Sequence, residues 1–303
     1  MEFENKLEDN LFDLHNKLVK KIYKHSEYKK FIIADPKQRT IHKAEIKDRL
    51  VHTLTAKKLE QIYQPIFIAH SYSCQPNKGI HKALRDLLSF SRKASSNFTR
   101  NFWYLKGDIR KFFDNIDHQI LLQVLKKKIK DEKFLWLIWQ VVNSFHKDRK
   151  GQGLPLGNFT SQWLANVYLN ELDYYVKHDL TIKYYLRYAD DFLIISRSRD
   201  DLLKHLGKIK LFVEKKLQLA LHGNKVFIKK FSSGIDFVGY RVLPRRVIIR
   251  KNIRKRIVKK TKERQIQLLD NEIGLWKYYE TINSYLGWLK HGHNHKLSNK
   301  IIY

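Results

Sequence analysis

Several residue types are scarce in this sequence, and each scarcity excludes a class of protein. Cys74 is the only cysteine, which excludes an internal disulfide framework and a zinc site built from cysteines. No apolar run is long enough to span a bilayer, and the acidic N-terminal residues are not followed by the apolar stretch of a signal peptide. We therefore expect a cytoplasmic protein without membrane contacts.

Acidic residues are also scarce relative to basic ones. The 303 residues include 30 Asp and Glu against 60 Lys and Arg, which gives a formal net charge of +30 and a pI near 10.0. A globular protein this basic repels itself unless a polyanion offsets the charge, so nucleic acid is the expected partner. The other interpretation is a solvated surface tuned for solubility. The hydrophobic content of 43% is ample for a buried core and excludes a disordered basic protein.

The hydrophobic pattern predicts helices alternating with strands. It predicts helices over residues 5–30, His81–Arg92, Ser161–Val176 and Asp200–Leu219, and strands over Tyr104–Ile109, Val226–Lys230, Ile235–Val242 and Arg246–Arg250. Asp35-Pro36 is expected to break the first helix, a basic mixed segment follows from Arg39 to about Pro65, and the chain beyond residue 250 is predicted to be helical. This order predicts an α+β fold in which helices back a palm-like antiparallel sheet.

The most informative segment is Tyr188-Ala189-Asp190-Asp191, which lies between two predicted strands, Ile182–Tyr188 and Phe192–Ser196. Adjacent carboxylates at the tip of a tight hairpin repel each other, and neither has an obvious cation beside it. A divalent metal would neutralise the pair, which indicates metal-assisted phosphoryl transfer. Such chemistry requires a further carboxylate from elsewhere in the fold. Asp108, at the end of the strand Tyr104–Ile109, is the candidate, although alone it would fit a plain turn.

Five segments in order resemble the motif series of reverse transcriptases. The segment Leu105–Asp114 is similar to the first palm motif of that family, and Tyr188–Asp191 is similar to its (Y/F)xDD hairpin. Further along, Asn224-Lys225 resembles a basic motif, Phe237-Val238-Gly239-Tyr240 resembles the primer grip, and Ile282–Trp288 resembles a thumb helix of the bacterial group II intron-like branch. Five motifs in compatible spacing are specific, whereas the hairpin alone would be weak evidence.

The resemblance implies a right-hand polymerase with RNA-directed DNA polymerase activity. It implies an N-terminal helix and fingers over residues 1–107, a palm with interleaved helices over 108–242 and a basic helical thumb over 243–303. The implied nucleic-acid partners are an RNA template, a DNA primer and the cDNA/RNA duplex. A bacterial or phage genome is the expected source.

The resemblance also assigns catalytic residues. Asp108, Asp190 and Asp191 would hold two Mg²⁺ ions, with Ile109 as a further metal contact and Mn²⁺ as a substitute metal. In the family, the residue equivalent to Asp191 shapes the site more than it binds metal. Lys225 would donate a proton to pyrophosphate. In the alternative, Lys225 is an exposed lysine at the end of a strand and has no role in catalysis.

Nucleotide-binding residues are expected in the fingers and just after the first palm aspartate. Phe113 would be the steric gate, whose ring leaves no room for a 2′-hydroxyl, and this role is compatible with a place in the core. Arg39, Arg49 and Lys43 lie where fingers residues of the family meet the triphosphate. Arg39 and Arg49 are the favoured pair, although a surface charge is an equal alternative for each.

The segment Gly153–Gln162 distinguishes branches of the family. Most reverse transcriptases have Pro-Gln-Gly here and end the motif in Ser-Pro, whereas this chain has Leu156 before Gly157 and ends the motif in Ser161-Gln162. Leu-Gly-x-x-x-Ser-Gln resembles the enzymes of diversity-generating retroelements, which copy a template-repeat RNA with frequent errors opposite adenine. We expect Leu156, Gly157 and Gln162 at the nucleotide, where an apolar side chain cannot supply amide hydrogen bonds. In the alternative, Leu156 only packs the loop and fidelity is ordinary.

That branch implies mutagenic retrohoming, in which the cDNA replaces a variable repeat in a target gene. It also implies a partner, a small basic accessory variability protein that forms an oligomeric helical bundle. In the thumb, Arg250, Lys251, Arg254 and Lys255 are expected to neutralise phosphates along a duplex without reading sequence. Three alternatives stay open: a short bacterial reverse transcriptase of ordinary fidelity from phage defence or a group II element, a non-catalytic RNA-binding scaffold, and a DNA-templated repair polymerase.

Overall fold

The computed structural model describes residues 5–34 and 37–302, in which helices pack around three antiparallel sheets. The helices are α1 (Leu7–Val19), α2 (Ile46–Tyr63), α3 (Ile80–Ala94), α4 (Phe112–Asn115), α5 (His118–Lys128), α6 (Glu132–Val142), α7 (Phe159–Tyr174), α8 (Arg199–Leu217), α9 (Lys251–Leu269), α10 (Leu275–Leu289) and α11 (His295–Ile302). The strands are β1 (Lys29–Ile33), β2 (Arg39–Lys43), β3 (Trp103–Asp108), β4 (Tyr184–Tyr188), β5 (Asp191–Ser196), β6 (Phe227–Lys230), β7 (Ile235–Phe237), β8 (Tyr240–Leu243) and β9 (Arg246–Ile249). The predicted α+β class is confirmed.

The central sheet has the strand order β4-β5-β3-β6 and is antiparallel throughout. Side chains alternate across its two faces, as the two-residue period of a strand requires. Leu105 and Phe192 face the core shared with α5, α7 and α8, whereas Tyr104 and Leu193 face the core shared with α3 and the C-terminal helices. Apolar side chains thus cover both faces of the sheet and hold it rigid behind the candidate site.

Gly107 makes room between β3 and β5 next to the pair formed by Asp108 and Asp191. It lies directly opposite Phe192 in the register of the two strands. A Cβ at position 107 would lie 2.0 Å from the ring of Phe192, so only glycine leaves room for the ring. The Phe192 ring fills that space on the face that packs against α5, α7 and α8. Gly107 directly precedes Asp108, and Phe192 directly follows Asp191.

The N-terminal prediction is partly wrong. The helix predicted over residues 5–30 ends at Val19, and the chain instead forms the hairpin β1-β2 farther on. Lys21 adopts a left-handed φ of 55°, which turns the chain so that the Tyr23 hydroxyl donates to Asp48 Oδ1 at 2.7 Å. Asp35-Pro36, the predicted helix breaker, lies outside the described residues. The segment predicted only as basic and mixed contains β2 and α2.

The third sheet, β7-β8-β9, corrects a second prediction. Ile235–Val242, predicted as one strand, is a hairpin whose loop consists of Val238 and Gly239, with φ values of 43° and 90°. Two consecutive left-handed residues make the tight reversal that joins antiparallel strands. A β-branched residue such as Val238 rarely adopts this conformation, so sequence propensity favoured an uninterrupted strand. Across the part of the chain that the structure describes, no helix combines the length and apolar character needed to cross a membrane.

Candidate active site

Strand register brings the three predicted aspartates together. Asp108 lies opposite Asp191 where β3 pairs with β5, and Asp191 also lies opposite Tyr188 where β5 pairs with β4. Ala189 and Asp190 therefore form a two-residue hairpin loop at the end of the sheet. The backbone N–H of Ile109 donates to the carbonyl oxygen of Asp190 at 3.3 Å, which ties this loop to the end of β3.

Burial and the repulsion between neighbouring carboxylates raise the pKa values of Asp190 and Asp191. The pKa of Asp190 is raised first by burial and then by the charges of Asp191 and Asp108. Burial also raises the pKa of Asp191, where Asp108 adds to the effect and Lys106 opposes it. Raised carboxylate pKa values in a cluster of like charges are typical of a site built for a cation.

Two lysines supply positive charge at this cluster. The Lys225 ammonium lies 3.1 and 2.9 Å from the two carboxylate oxygens of Asp108. Lys106 Nζ lies 3.6 Å from Asp191 Oδ2 and donates to the backbone carbonyl of Asp236 in β7 at 3.2 Å. The sequence predicts Lys225 at this cluster, whereas Lys106 is an additional residue that only the structure places here. The available signal was position: Lys106 precedes Asp108 by two residues and so shares its face of β3.

The donor set fits a hard divalent cation. Carboxylate oxygens are the ligands that Mg²⁺ prefers, and neutralising Asp108, Asp190 and Asp191 would relieve their repulsion. Within residues 5–34 and 37–302, no three acidic, histidine or cysteine side chains are already gathered into a metal-binding group. The Lys225 ammonium instead lies against Asp108, so a metal contact there requires this lysine to move.

A buried arginine supports the hairpin from beneath and was also missed. Arg187 has 1% of its surface exposed, and its Nε and Nη2 donate to the two oxygens of Asp173 at 2.7 and 2.6 Å. Nη1 donates to Asn166 Oδ1 at 3.1 Å and to the Ala189 carbonyl at 3.0 Å, while Nη2 also donates to Ser71 Oγ at 3.0 Å. A charged residue within the apolar run of β4 was the signal, because such a residue is buried only when fully paired.

The Gly153–Gln162 segment is hydrogen-bonded to the β1-β2 hairpin, which lies in the region predicted as fingers. The backbone N–H of His42 in β2 donates to the Leu156 carbonyl at 3.0 Å, and Asn158 Nδ2 donates to the His42 carbonyl at 2.9 Å. Gly157 has a φ of 106°, and a Cβ there would lie 2.6 Å from Ile41 Cγ2. Leu156 and Gly157 therefore sit at the junction of the fingers and the first turn of α7.

A cleft of about 310 Å³ opens at this junction. Its lining includes Lys43, Arg49 and Gly157. Arg49 is thus brought to the Gly153–Gln162 segment, whereas Arg39 is exposed at the far end of β2 and is not part of this lining. Gln162 is exposed in the first turn of α7. It precedes Asn166, the partner of Arg187, by four residues and so lies on the same face of the helix.

Phe113 follows Asp108 by five residues and contacts the Gly153–Gln162 segment through its backbone. It belongs to the short helix α4, is half-buried, and its ring packs 5.5 Å from that of Phe112. Its carbonyl accepts a hydrogen bond from the Leu154 backbone N–H at 2.8 Å. The structure thus connects the predicted sugar-contacting residue to the loop that carries Leu156.

The predicted primer-grip residues form the β7-β8 hairpin, which joins the palm sheet to the C-terminal helices. Its Phe237 and Tyr240 are buried, and the Tyr240 hydroxyl donates to the Trp288 carbonyl at 2.8 Å. The Gly239 carbonyl accepts from the backbone N–H of Arg250 at 3.2 Å. The predicted duplex-binding residues Arg250, Lys251, Arg254 and Lys255 begin α9 at this point, and Arg250, Lys251 and Lys255 share a cleft with Asp236.

Comparison with known proteins is consistent with this geometry. Residues 22–242 match the family model described as reverse transcriptase (RNA-dependent DNA polymerase). The chain is 25% identical to Protein YkfC of Escherichia coli, with 66% of this chain and 62% of YkfC covered. It is 27% identical to the group II intron-encoded protein LtrA of Lactococcus lactis, with 66% of this chain and 43% of LtrA covered. The chain therefore spans less than two thirds of either relative.

Solved structures show the same fold. Telomerase from Candida albicans in complex with a fragment of telomeric RNA superposes with a TM-score of 0.57 at 12% identity, covering 87% of this chain and 55% of that one. Telomerase from Candida tropicalis in complex with the corresponding fragment also gives 0.57, at 14% identity, covering 92% and 56%. Identity this low supports the polymerase fold alone.

Proposed function

Because the chain belongs to the reverse transcriptase (RNA-dependent DNA polymerase) family, we propose that it extends a DNA primer along an RNA template using deoxynucleoside triphosphates. One observation carries the proposal: Asp108 and Asp191 face each other across β3 and β5, with Asp190 in the adjoining loop. That placement provides the carboxylates that nucleotidyl transfer requires. The excess of positive charge favours binding of the RNA template, the primer and the cDNA/RNA duplex.

In this proposal the acidic cluster holds two Mg²⁺ ions, for which Mn²⁺ can substitute. Asp108 and Asp190 are the principal ligands, Asp191 shapes the site, and Ile109 adds a contact. Bound by these residues, the ions would supply a lower pKa for the primer 3′-hydroxyl and positive charge for the triphosphate. Lys225, which pairs with Asp108 in the structure, is released from that carboxylate and donates a proton to the departing pyrophosphate.

The incoming nucleotide would occupy the space between the fingers hairpin and the aspartates. Arg49 faces the triphosphate, Phe113 lies against the sugar, and Leu156, Gly157 and Gln162 flank the base pair. The support for this arrangement is the shared cleft of Arg49 and Gly157 and the hydrogen bond between Phe113 and Leu154. Arg39 would join them only if the fingers hairpin closed over the nucleotide.

We further propose that the enzyme belongs to the diversity-generating branch. It would copy a template-repeat RNA with errors opposite adenine, supply cDNA for mutagenic retrohoming, and act with a basic accessory variability protein oligomer. The support is Leu156, which precedes Gly157 where most of the family has glutamine and so lacks an amide at the nucleotide. Because the β2 strand fixes the Leu156 backbone, the loop cannot easily bring another polar side chain to that place.

A second candidate is an accurate reverse transcriptase of the intron-encoded type. It is favoured by the similarity to LtrA, a group II intron-encoded protein of Lactococcus lactis. The two candidates share their chemistry and differ in the errors that they make, so one experiment separates them.

That experiment is primer extension on a mixed-sequence RNA template with Mg²⁺ and deoxynucleotides, followed by sequencing of the cDNA. Asp190→Asn should abolish product, and Asp148→Asn, at an exposed loop position, is the matched control. Errors concentrated opposite adenine support the diversity-generating branch, whereas accurate cDNA supports the intron-type enzyme. Equal product from the wild type and Asp190→Asn would attribute the cDNA to a contaminating polymerase, and would overturn the catalytic proposal in favour of a scaffold that binds RNA.

A further inference from the structure

A basic groove runs along the face of α3 that points away from the central sheet. The opposite face of this helix packs on the sheet through Leu84, Leu87 and Ala94, which are nearly or completely buried. The groove has a volume of about 620 Å³, and its lining includes Arg85, Ser89, Arg92, Lys93, Ser96 and Asn97. We call these six residues the α3 groove.

A second cleft of about 560 Å³ continues the α3 groove around the end of the sheet. It shares Lys93 and adds Lys183 and Arg197. Arg197 is fixed at the junction, because its Nε donates to the Ala94 carbonyl at 2.9 Å and its Nη2 donates to Ser96 Oγ at 3.0 Å. The basic surface is therefore built on rigid helix and strand ends.

The positive charge of the α3 groove has no acidic counterpart within the described residues. None of Arg85, Arg92 and Lys93 has a carboxylate within ion-pair distance in the part of the chain that the structure describes. All three are exposed, and the side chains between them, Ser89 and Ser96, are small hydrogen-bonding groups. Such a surface attracts an anion that can neutralise several charges at once.

The α3 groove lies at the opposite end of the sheet from the aspartates. Arg197 directly follows β5, which begins at Asp191 and ends at Ser196. At about 3.4 Å per residue, that strand separates the two places by roughly 17 Å. A nucleic acid segment in the groove is thus distinct from the nucleotide being copied.

We infer that the α3 groove binds the phosphate backbone of the RNA outside the segment being copied; this inference rests on the proposed function. Arginine, lysine, serine and asparagine are the residue types that contact phosphates. Leu88 is the single apolar residue that lines the groove, so the groove lacks the apolar anchors on which protein partners depend. A template RNA continues beyond the active site, which places its flanking part near this surface at high effective concentration.

The test compares two triple variants of the full chain. R85Q/R92Q/K93Q removes three charges from the α3 groove, and K208Q/K215Q/K216Q removes three exposed charges from α8. The probe is a paired RNA hairpin with a single-stranded flank, and its binding is measured by fluorescence anisotropy over a range of KCl concentrations. The groove variant should bind about tenfold more weakly, with a log–log salt slope shallower by about 2, whereas the α8 variant should stay close to the wild type.

Both variants are also assayed for extension of a short primer–template that is confined to the active-site cleft. Unchanged extension by the groove variant supports a separate RNA surface, and a parallel loss of extension overturns it. Equal weakening by both triple variants, or hairpin binding at the wild-type level by the groove variant, also overturns it. If even the wild type fails to extend, the proposed function fails, while the hairpin binding still tests the groove.

Discussion

Arg187 and Ala189 are joined by a hydrogen bond in which Nη1 of the buried guanidinium donates to the Ala189 carbonyl at 3.0 Å. Ala189 has a φ of 53°, in the left-handed region that costs a residue with a side chain about 1–2 kcal/mol. The bond offsets that cost at the tip of the hairpin, one residue before Asp190. Because Nη1 also bonds Asn166, the position of the Ala189-Asp190 loop depends on a buried residue of α7.

Asn166→Ala should therefore impair catalysis without touching the substrate. It leaves a buried guanidinium N–H without its partner and should cost about 1–3 kcal/mol of stability. It should also loosen the Ala189 turn, so that half-maximal primer extension requires several-fold more Mg²⁺. The measurement is extension rate against Mg²⁺ concentration. Ile209→Val, a core truncation in α8 of about 1 kcal/mol, is the control for lost stability. An identical Mg²⁺ dependence in the two variants would reduce Asn166 to a structural role.

Gly107→Ala should destabilise the palm by steric overlap with Phe192. The added Cβ would lie 2.0 Å from the ring, and overpacking of this kind costs about 1–3 kcal/mol. Phe192→Leu alone should also destabilise, but the double variant should lose less than the sum because the smaller side chain makes room. Urea unfolding of the four proteins measures this coupling. Strict additivity would mean that the ring moves aside freely and that glycine is not required.

Phe113→Ala should admit ribonucleotides. If the ring blocks a 2′-hydroxyl, its removal should reduce the preference for dNTPs over rNTPs by at least about tenfold, the scale of one lost steric contact. Phe134→Ala, at another partly buried aromatic position in α6, is the control for lost packing. Single-nucleotide incorporation with each substrate gives the ratio. A ratio equal to that of the wild type would place the gate elsewhere.

Leu156→Gln should reduce misincorporation opposite template adenine. The amide would restore hydrogen bonds that help to fix the nucleotide, and one neutral hydrogen bond is worth about 1 kcal/mol, or roughly fivefold in error frequency. Leu156→Met keeps the apolar character and approximate volume and is the matched control. The readout is the cDNA error spectrum on one RNA template. If the glutamine and methionine variants share the wild-type spectrum, the residue at position 156 does not set fidelity.

Local signals were sufficient to predict the palm sheet and its carboxylates. The period-two pattern around Asp108 and the paired aspartates after Tyr188 specify strands and a hairpin whatever their surroundings. Helix α3 and α8 were likewise predicted with small shifts at their ends. In each of these helices the apolar residues recur at helical spacing within one uninterrupted segment, so the hydrophobic period alone identifies the helix.

The remaining features depend on contacts between distant segments. The left-handed turn at Lys21 is closed by local bonds from the backbone N–H groups of Ile22 and Tyr23 to the Lys17 carbonyl, whereas the chain beyond it is held by the bond from Tyr23 to Asp48, which lies 25 residues later. The Val238 turn opposes β propensity and is maintained by the helices that pack behind it. Arg187 and Lys106 gain their roles from partners in other elements. Their positions in β4 and β3 mark both residues in the sequence, but the sequence does not show which partners they meet.

Asp190→Asn should stabilise the metal-free protein even as it removes activity. The folded-state pKa of Asp190 lies above its ordinary value of 3.8, so the folded protein retains a proton that the unfolded chain releases. The free energy of unfolding therefore falls as pH rises from about 3.8 through the raised pKa, and the amide removes this penalty. The variant should therefore have the same free energy of unfolding as the wild type at the acid end of that range, and its full gain in free energy of unfolding at neutral pH.

The measurement is the melting temperature in EDTA as a function of pH. We expect the variant to melt about 1–2 °C higher at neutral pH, which corresponds to on the order of 1 kcal/mol in a chain of this length. Added Mg²⁺ should raise the melting temperature of the wild type more than that of Asp190→Asn, because binding to the folded state alone stabilises it. Asp148→Asn, at an exposed loop position, should follow the wild type throughout. A variant that is less stable at neutral pH would mean that the Asp190 carboxylate is held by favourable contacts rather than strained by its neighbours.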